Sequence, residues 1–435
     1  MNLFIDGGRP LSGEIEILGA KNAFLPLIAA SCLTEKTVVF DNIPLVDDTL
    51  EKIDLLEKAG AKIIYESGRK IHLNTKELNP VMNFHSRIRT SILFTGVLLG
   101  RFGFCSVPYP KGDSIGDRNT NFHIDALSKM GAEFIFHEDF FEAKTNRLIG
   151  IEYTMPFPSN GATHNLILAA SMAHGTTIIN NASIEPETIC LCNFLRELGV
   201  SIPDVGRSRI IIEGSGGVVY NSHNVQTFSI ISDRVQAGTY LVAGAITGGD
   251  ITIKGDNFLL SLGIFLDYLT KLGSELIINN RSVRCISKAN ANYEALEILT
   301  DIFPSLATDL QPILVPLLCC KSEKAVLQDL IFNGRFRYVS ELQKMGGLIT
   351  QKNKNTIEIS RIEQFSANQT LVAYDIRGGA SVLLAALNAN GISKIFNSYQ
   401  LCRGYDNLIH NLCFLGANID IEHEECYEKT SYNLY

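Results

Sequence analysis

The 435-residue chain is 46% apolar, enough to bury a large core and to divide into about two or three domains. Its 38 Lys and Arg against 46 Asp and Glu leave a net charge of -8, without the basic excess of a nucleic-acid binder, so any positive site must be local. No stretch reaches the roughly 20 apolar residues that span a bilayer.

The chain opens on Met1-Asn2-Leu3-Phe4-Ile5-Asp6-Gly7-Gly8, which reads as a strand rather than an export signal because no basic segment precedes an apolar run. A cytoplasmic location follows. Lys21-Asn22 then opens an apolar helix, and Leu55 to Ile63 shows a second helix ending in Gly before a short strand. This pair of phrases recurs. Polar clusters open apolar helices at Arg89-Thr90-Ser91, Gly161-Ala162-Thr163, Asp233-Arg234, Thr308-Asp309 and Asp375-Ile376-Arg377. The helix-Gly-strand phrase returns at Leu127 to Phe134, Leu195 to Ile202, Leu269 to Leu276, Leu342 to Ile349 and Leu412 to Ile419.

The marker glycines 60, 131, 199, 273, 346 and 416 are spaced by 71, 68, 74, 73 and 70 residues, so six units account for nearly the whole chain. Each glycine suits a left-handed C′ position. Each polar cluster suits a helix start, whose first N–H groups need acceptors. Lys21 and Arg89, however, are cations at the positive end of a helix dipole. They make sense if an anion lies between converging helix starts. Alternating helix and strand signals give an α/β chain, three units to a domain, with the join near residue 230 set by repeat phase. Ile421 to Tyr435 fall outside the repeat and read as a polar tail.

Ten cysteines in a chain this long form no disulfide framework, and Cys190-x-Cys192 and Cys319-Cys320 lack zinc spacing; reduced, mostly buried thiols are expected. Nine histidines form no ligand cluster, so neither a metal nor a cofactor is expected. No phosphate loop, dinucleotide fingerprint or serine elbow is present, and Gly214-Ser215-Gly216-Gly217 reads as a turn.

Leu18-Gly19-Ala20-Lys21-Asn22-Ala23, Ile88-Arg89-Thr90-Ser91-Ile92, Thr308-Asp309-Leu310-Gln311, Asp375-Ile376-Arg377 and Cys402-Arg403-Gly404-Tyr405, in this order, resemble the UDP-N-acetylglucosamine enolpyruvyl transferase family from residue 1 to about 420. The resemblance implies a two-domain inside-out α/β barrel, shared with enolpyruvylshikimate-phosphate synthase. The first strand would join the second domain, giving 22–230 as one domain and 1–21 with 231–420 as the other. It implies transfer of the enolpyruvyl group of phosphoenolpyruvate to UDP-N-acetylglucosamine, the first committed step of peptidoglycan synthesis.

Phosphoenolpyruvate packs nearly three negative charges into a small volume, which calls for several fixed cations. By resemblance, Lys21, Arg118 and Arg403 hold its phosphate, Arg335 and Arg377 its carboxylate, and Arg89 the acceptor's phosphates. Asn22 and Ile331 also belong to the implied substrate site. Asp309 is the implied base for the acceptor hydroxyl, with a plain N-cap as the other reading. The segment 111–121 resembles a mobile lid carrying the proton donor. Here Asp113 stands where most relatives have Cys, so insensitivity to the thiol-alkylating epoxide fosfomycin is expected.

The acceptor half departs further. Asn119-Thr120-Asn121-Phe122 replaces the usual Pro-Val-Asp after Arg118, leaving Asn121 to pair with uracil. Phe157-Pro158-Ser159-Asn160 lacks a usual cation, leaving backbone N–H groups at Ser159, Asn160 and Gly161 for phosphate. Three readings stay open: the cell-wall reaction, an enolpyruvyl transferase for another acceptor such as UMP, and a catalytically silent ligand-binding relative.

Overall fold

The computed structural model describes residues 1–66, 68–113, 115–116, 119–221, 227–287 and 294–422. Among the described residues the strands form six small sheets, four with four strands and two with three. One unit shows the pattern of the others. Strand Ala295–Thr300 pairs in parallel with Lys324–Asp329 across the buried helix Gln311–Lys321; the outer helix Val339–Lys344 then leads into the antiparallel hairpin Leu348–Asn353 and Thr356–Ser360. Alternation is visible in Ala295–Thr300, where Leu296, Ile298 and Thr300 point inward.

Six helices are apolar nearly all round and are buried accordingly: Lys21–Ala30, Leu93–Phe102, Asn160–Met172, Arg234–Thr247, Gln311–Lys321 and Ile376–Asn388. Small residues set their closest approaches. A Cβ at Gly96 would lie 2.5 Å from Asn165 O, and one at Gly238 would lie 2.6 Å from Leu310 Cδ2. The outer helices are amphipathic. In Asp47–Lys58, Ile53, Leu55 and Leu56 turn inward while Glu57 and Lys58 face water.

All six marker glycines have left-handed φ, from +85° to +106°. Five lead into strands. The third does not, since Ser201 makes only an isolated bridge to Glu213 before Pro203, which has no N–H to extend a ladder. Among the described cysteines only Cys402 and Cys413 are exposed.

The buried apolar residues form two clusters, one running from Ala20 to Ile230, the other joining Leu3 to Ile17 with Val235 to Ile419. The N-terminal strand Asn2–Gly7 sits between Gly391–Phe396 and Asn418–Glu422, and Ser12–Glu16 pairs with Asp250–Lys254. Leu3 pairs with Ile421 and Asn2 with Glu422, so this sheet takes in the first two residues of the segment read as a tail. The rest of that segment lies outside the described residues. The chain crosses between clusters twice, at 18–20 and 231–233, and the crossings hydrogen-bond to each other: Ala20 N to Ile231 O at 2.7 Å, Asp233 N to Leu18 O at 2.9 Å.

Candidate active site

Between the two clusters lies a cavity of about 620 Å³, and all six polar helix starts line it, through Lys21, Thr90, Gly161, Arg234, Asp309 and Arg377 among others. Its walls hold both signs of charge.

At one end Lys21, 6% exposed, donates to Asp48 Oδ2 at 3.1 Å, and Arg403 Nε donates to Asp48 Oδ1 at 3.1 Å. Arg403 Nη1 also binds Asp113 and reaches Gln400 Oε1 at 2.9 Å. Burial pushes the Asp48 carboxyl up, but Lys21 and Arg403 outweigh it and hold the group below the usual range. Asp113 and Arg403 lie 290 residues apart in the chain, and their contact joins Asp113 to the turn that carries Arg403. Gly116 touches the facing turn so closely that a Cβ there would meet Asn333 Oδ1 at 2.5 Å.

Beside this end, Asp309 accepts from Arg335 Nη2 at 2.7 Å, from Arg377 Nη2 at 3.3 Å and Nε at 3.4 Å, and from Asn22 Nδ2 at 3.4 Å. It does not cap the helix, which starts after Leu310 with no side-chain cap; Thr308 donates instead to Asp329 Oδ2 at 2.8 Å. Arg377 lies over the Tyr405 ring at 5.0 Å, and its helix is capped by Asp375, which accepts from the N–H groups of Arg377 and Gly378. Arg335 and Arg377 are 2% and 4% exposed, rigid guanidiniums at the cavity wall.

Part of the wall is apolar or uncharged. Phe122, His123, Phe157 and Pro158 line the cavity there, beside the charged Arg89. Burial, with Arg89 nearby, pushes the His123 imidazole down to about 3, so it is uncharged, and its Nδ1 lies 3.1 Å from Asn165 Nδ2. Ser159 caps its helix by accepting from Ala162 N at 3.4 Å, and the side-chain Oδ1 of Asn160 accepts from Thr188 Oγ1 at 2.9 Å.

Twelve of the residues assigned from sequence line the cavity: Lys21, Asn22, Arg89, Asp113, Ser159, Asn160, Gly161, Asp309, Ile331, Arg335, Arg377 and Arg403. Asn121 does not. It is the exposed first residue of the Asn121–Lys129 helix, its N–H taken by Asn119 Oδ1 at 2.9 Å, and Asn119 faces the cavity in its place. A helix starting at 121 turns 122 and 123 inward. Arg118 lies outside the described residues. Sequence reasoning missed Asp48, whose position in a helix's first turn looks like ordinary dipole compensation. It also missed Glu185 and Glu187, which hold Arg234; Glu187 Oε2 is 3.1 Å from Arg234 Nη2.

Among the described residues no His, Cys, Asp and Glu gather as a metal site, and no helix is long and apolar enough to cross a membrane. The sequence profile of EPSP synthase (3-phosphoshikimate 1-carboxyvinyltransferase) matches residues 5–412. A UDP-N-acetylglucosamine 1-carboxyvinyltransferase from Campylobacter fetus subsp. fetus is 37% identical over 423 residues, 96% of this chain and 98% of that protein. Another of the same name from Coxiella burnetii is 36% identical over 425 residues, 96% of this chain and 95% of that one. Among solved structures, the enolpyruvyl transferase NikO from Streptomyces tendae superposes with a TM-score of 0.87 at 22% identity, over 96% of this chain and 98% of that one. An EPSP synthase from Acinetobacter baumannii superposes with a TM-score of 0.72 at 18% identity, over 97% and 100%. The α/β fold is thus that of the enolpyruvyl transferases, and the chain belongs to the EPSP synthase family of 1-carboxyvinyltransferases.

Proposed function

We propose that the protein transfers the enolpyruvyl group of phosphoenolpyruvate to a hydroxyl of UDP-N-acetylglucosamine, releasing phosphate, as the names of its relatives indicate. The observation that carries this reading is the cationic end of the cavity, where Lys21, Arg335, Arg377 and Arg403 ring two carboxylates, Asp48 and Asp309. In this reading one small polyanion binds there.

In this reading Lys21 and Arg403, with Arg118, bind the phosphate, and Arg335 and Arg377 fork onto the carboxylate. Asp113 gives a proton to the methylene carbon while the acceptor oxygen attacks the adjacent carbon and Asp309 takes the hydroxyl proton. Phosphate then leaves as Asp113 recovers a proton from the new methyl group, restoring the double bond. The Asp113–Arg403 contact brings the proposed donor to the proposed phosphate ligand, and a phosphate taking Asp113's place on Arg403 would free the carboxyl to carry the proton it delivers. The chain divides into two inside-out barrel domains, 22–230 and 1–21 with 231–420, that close over the substrates, and it works in the cytoplasm.

A second reading, another uridine nucleotide as acceptor, draws on the uncharged lining residues Phe122, His123, Phe157 and Pro158. Phosphate release from phosphoenolpyruvate, measured with UDP-N-acetylglucosamine, UMP and no acceptor, decides. Release only with UDP-N-acetylglucosamine supports the first reading, release only with UMP the second, and no release with any acceptor overturns both.

A further inference from the structure

The turn Arg403-Gly404-Tyr405-Asp406 is held from both sides of the cavity. Tyr405 anchors it to its own half: the ring is buried and the hydroxyl lies 3.0 Å from Thr239 Oγ1. Asp406 anchors it to the other. Arg69 grips both carboxylate oxygens of Asp406, Nη1 on Oδ2 and Nη2 on Oδ1 at 3.0 Å, and Leu45 N donates to Oδ2 at 2.7 Å. Arg69 is fixed in turn by Ile43, its Nη1 donating to Ile43 O at 3.3 Å and its carbonyl accepting from Ile43 N at 3.0 Å.

Ile43 and Leu45 lead directly into the helix Asp47–Lys58, whose Asp48 binds Arg403. Arg403 and Asp406 thus grip one first-half segment, 43–48, from the same turn. Neither Arg69 nor Asp406 lines the cavity. Asp406 is 2% exposed, so the fork works with little water to compete, and a planar guanidinium meets both oxygens at once where an ammonium meets them as a point charge. Gly404 leaves the turn little slack: a Cβ there would lie 2.6 Å from Ile376 Cγ2.

We propose that Arg69 is a positioning residue for the reaction: through Asp406 it seats this turn on the first half and so sets the guanidinium of Arg403 beside Lys21 and Asp113. The inference rests on the reading of Arg403 as a ligand of the phosphoenolpyruvate phosphate. Its test compares Arg69→Ala, Arg69→Lys, Asp406→Asn and the Arg69→Ala/Asp406→Asn double variant in steady-state kinetics and urea unfolding, with Arg403→Ala as reference.

Arg69→Ala is expected to raise the KM for phosphoenolpyruvate about tenfold or more, as loss of a charged hydrogen-bond pair does, with a much smaller change for the acceptor. Arg69→Lys recovers part of the loss. The double variant is no worse than the worse single one, because both break the same contact. The proposal is overturned if Arg69→Ala leaves phosphoenolpyruvate kinetics within about twofold of the parent while only its unfolding midpoint falls, or if the two single losses multiply. An unaltered phosphoenolpyruvate KM in Arg403→Ala overturns the phosphate reading and this inference with it. An impaired Arg403→Ala beside an unimpaired Arg69→Ala overturns the inference alone.

Discussion

Arg335 donates to Asp309 across 2.7 Å, and the side chains differ in setting: the guanidinium side chain is 2% exposed and the carboxylate side chain 28%, facing the cavity. Burial pushes the Asp309 carboxyl up, but Arg377, Arg335 and Lys21 outweigh it and hold the group well below the usual carboxylate range. A carboxylate so stabilised is a weak base. A substrate carboxylate bound by the same two guanidiniums adds a negative charge beside Asp309 and pushes its pKa back up.

Carbon-13 NMR of labelled Asp is therefore expected to show the Asp309 titration moving upward when phosphoenolpyruvate is added. Asp309→Asn should lower kcat by roughly 10²–10⁴, the usual range for a lost general base. A titration that stays put, together with an active Asn variant, removes Asp309 from the proton-transfer step. Because the folded pKa is depressed, the group's contribution to stability is present above the unfolded value of about 4 and is lost as pH falls toward the folded value. Unfolding of the parent should thus steepen in acid relative to Asp309→Asn.

Asp113 offers fosfomycin a carboxylate where a thiolate would attack its epoxide. Preincubation with fosfomycin is expected to leave the parent fully active with no adduct by mass spectrometry. Asp113→Cys should gain time-dependent inactivation and one adduct at residue 113. Inactivation of the parent with mass added to the segment 111–121 refutes the argument.

Periodicity exposed what repeats and was silent on what occurs once. Gly60 and its five counterparts could be read as left-handed positions because a helix ending before a strand needs one, and all six have positive φ. Lys21 and Arg89 stood out because a cation at a helix start is unfavourable alone. Asp48 gave no such signal, since an acid in a first turn satisfies the dipole without any partner. The Arg69–Asp406 fork joins residues 337 apart, and no local pattern encodes such a pair. Asn121 was assigned by its place after Arg118 in the family pattern, and position in a motif does not say which way a side chain points: Asn121 opens a helix with its side chain exposed, while Asn119 lines the cavity.

Arg377 reaches Asp309 through two nitrogens of one guanidinium, whose carbon lies 5.0 Å from the centre of the Tyr405 ring. Lys keeps the charge but loses the two-nitrogen contact and reaches the ring only as a point charge. Arg377→Lys is expected to raise the phosphoenolpyruvate KM by about 10- to 100-fold, the worth of charged hydrogen bonds, while leaving acceptor KM nearly unchanged. Equal effects on both substrates would place Arg377 in the scaffold rather than at the carboxylate.

Lys52 is 0% exposed, donates to Thr90 O at 3.0 Å and lies 4.8 Å over the Phe94 ring, with no ion-paired carboxylate among the described residues. Burial pushes its ammonium down to about 7, with Cys32 countering weakly. The unfolded chain holds this proton until roughly pH 10.4, so between about pH 7 and 10 it binds more protons than the fold, and stability rises with pH. One proton sets a limiting slope of about 1.4 kcal/mol per pH unit. Lys52→Met removes the buried charge while keeping much of the stem. In urea unfolding the variant should be more stable than the parent near pH 6.5, and the difference should shrink steadily toward pH 10. A difference that does not vary with pH shows that Lys52 keeps its proton in the fold, with the Thr90 carbonyl and the Phe94 ring sufficient to hold an ammonium ion without a counter-charge.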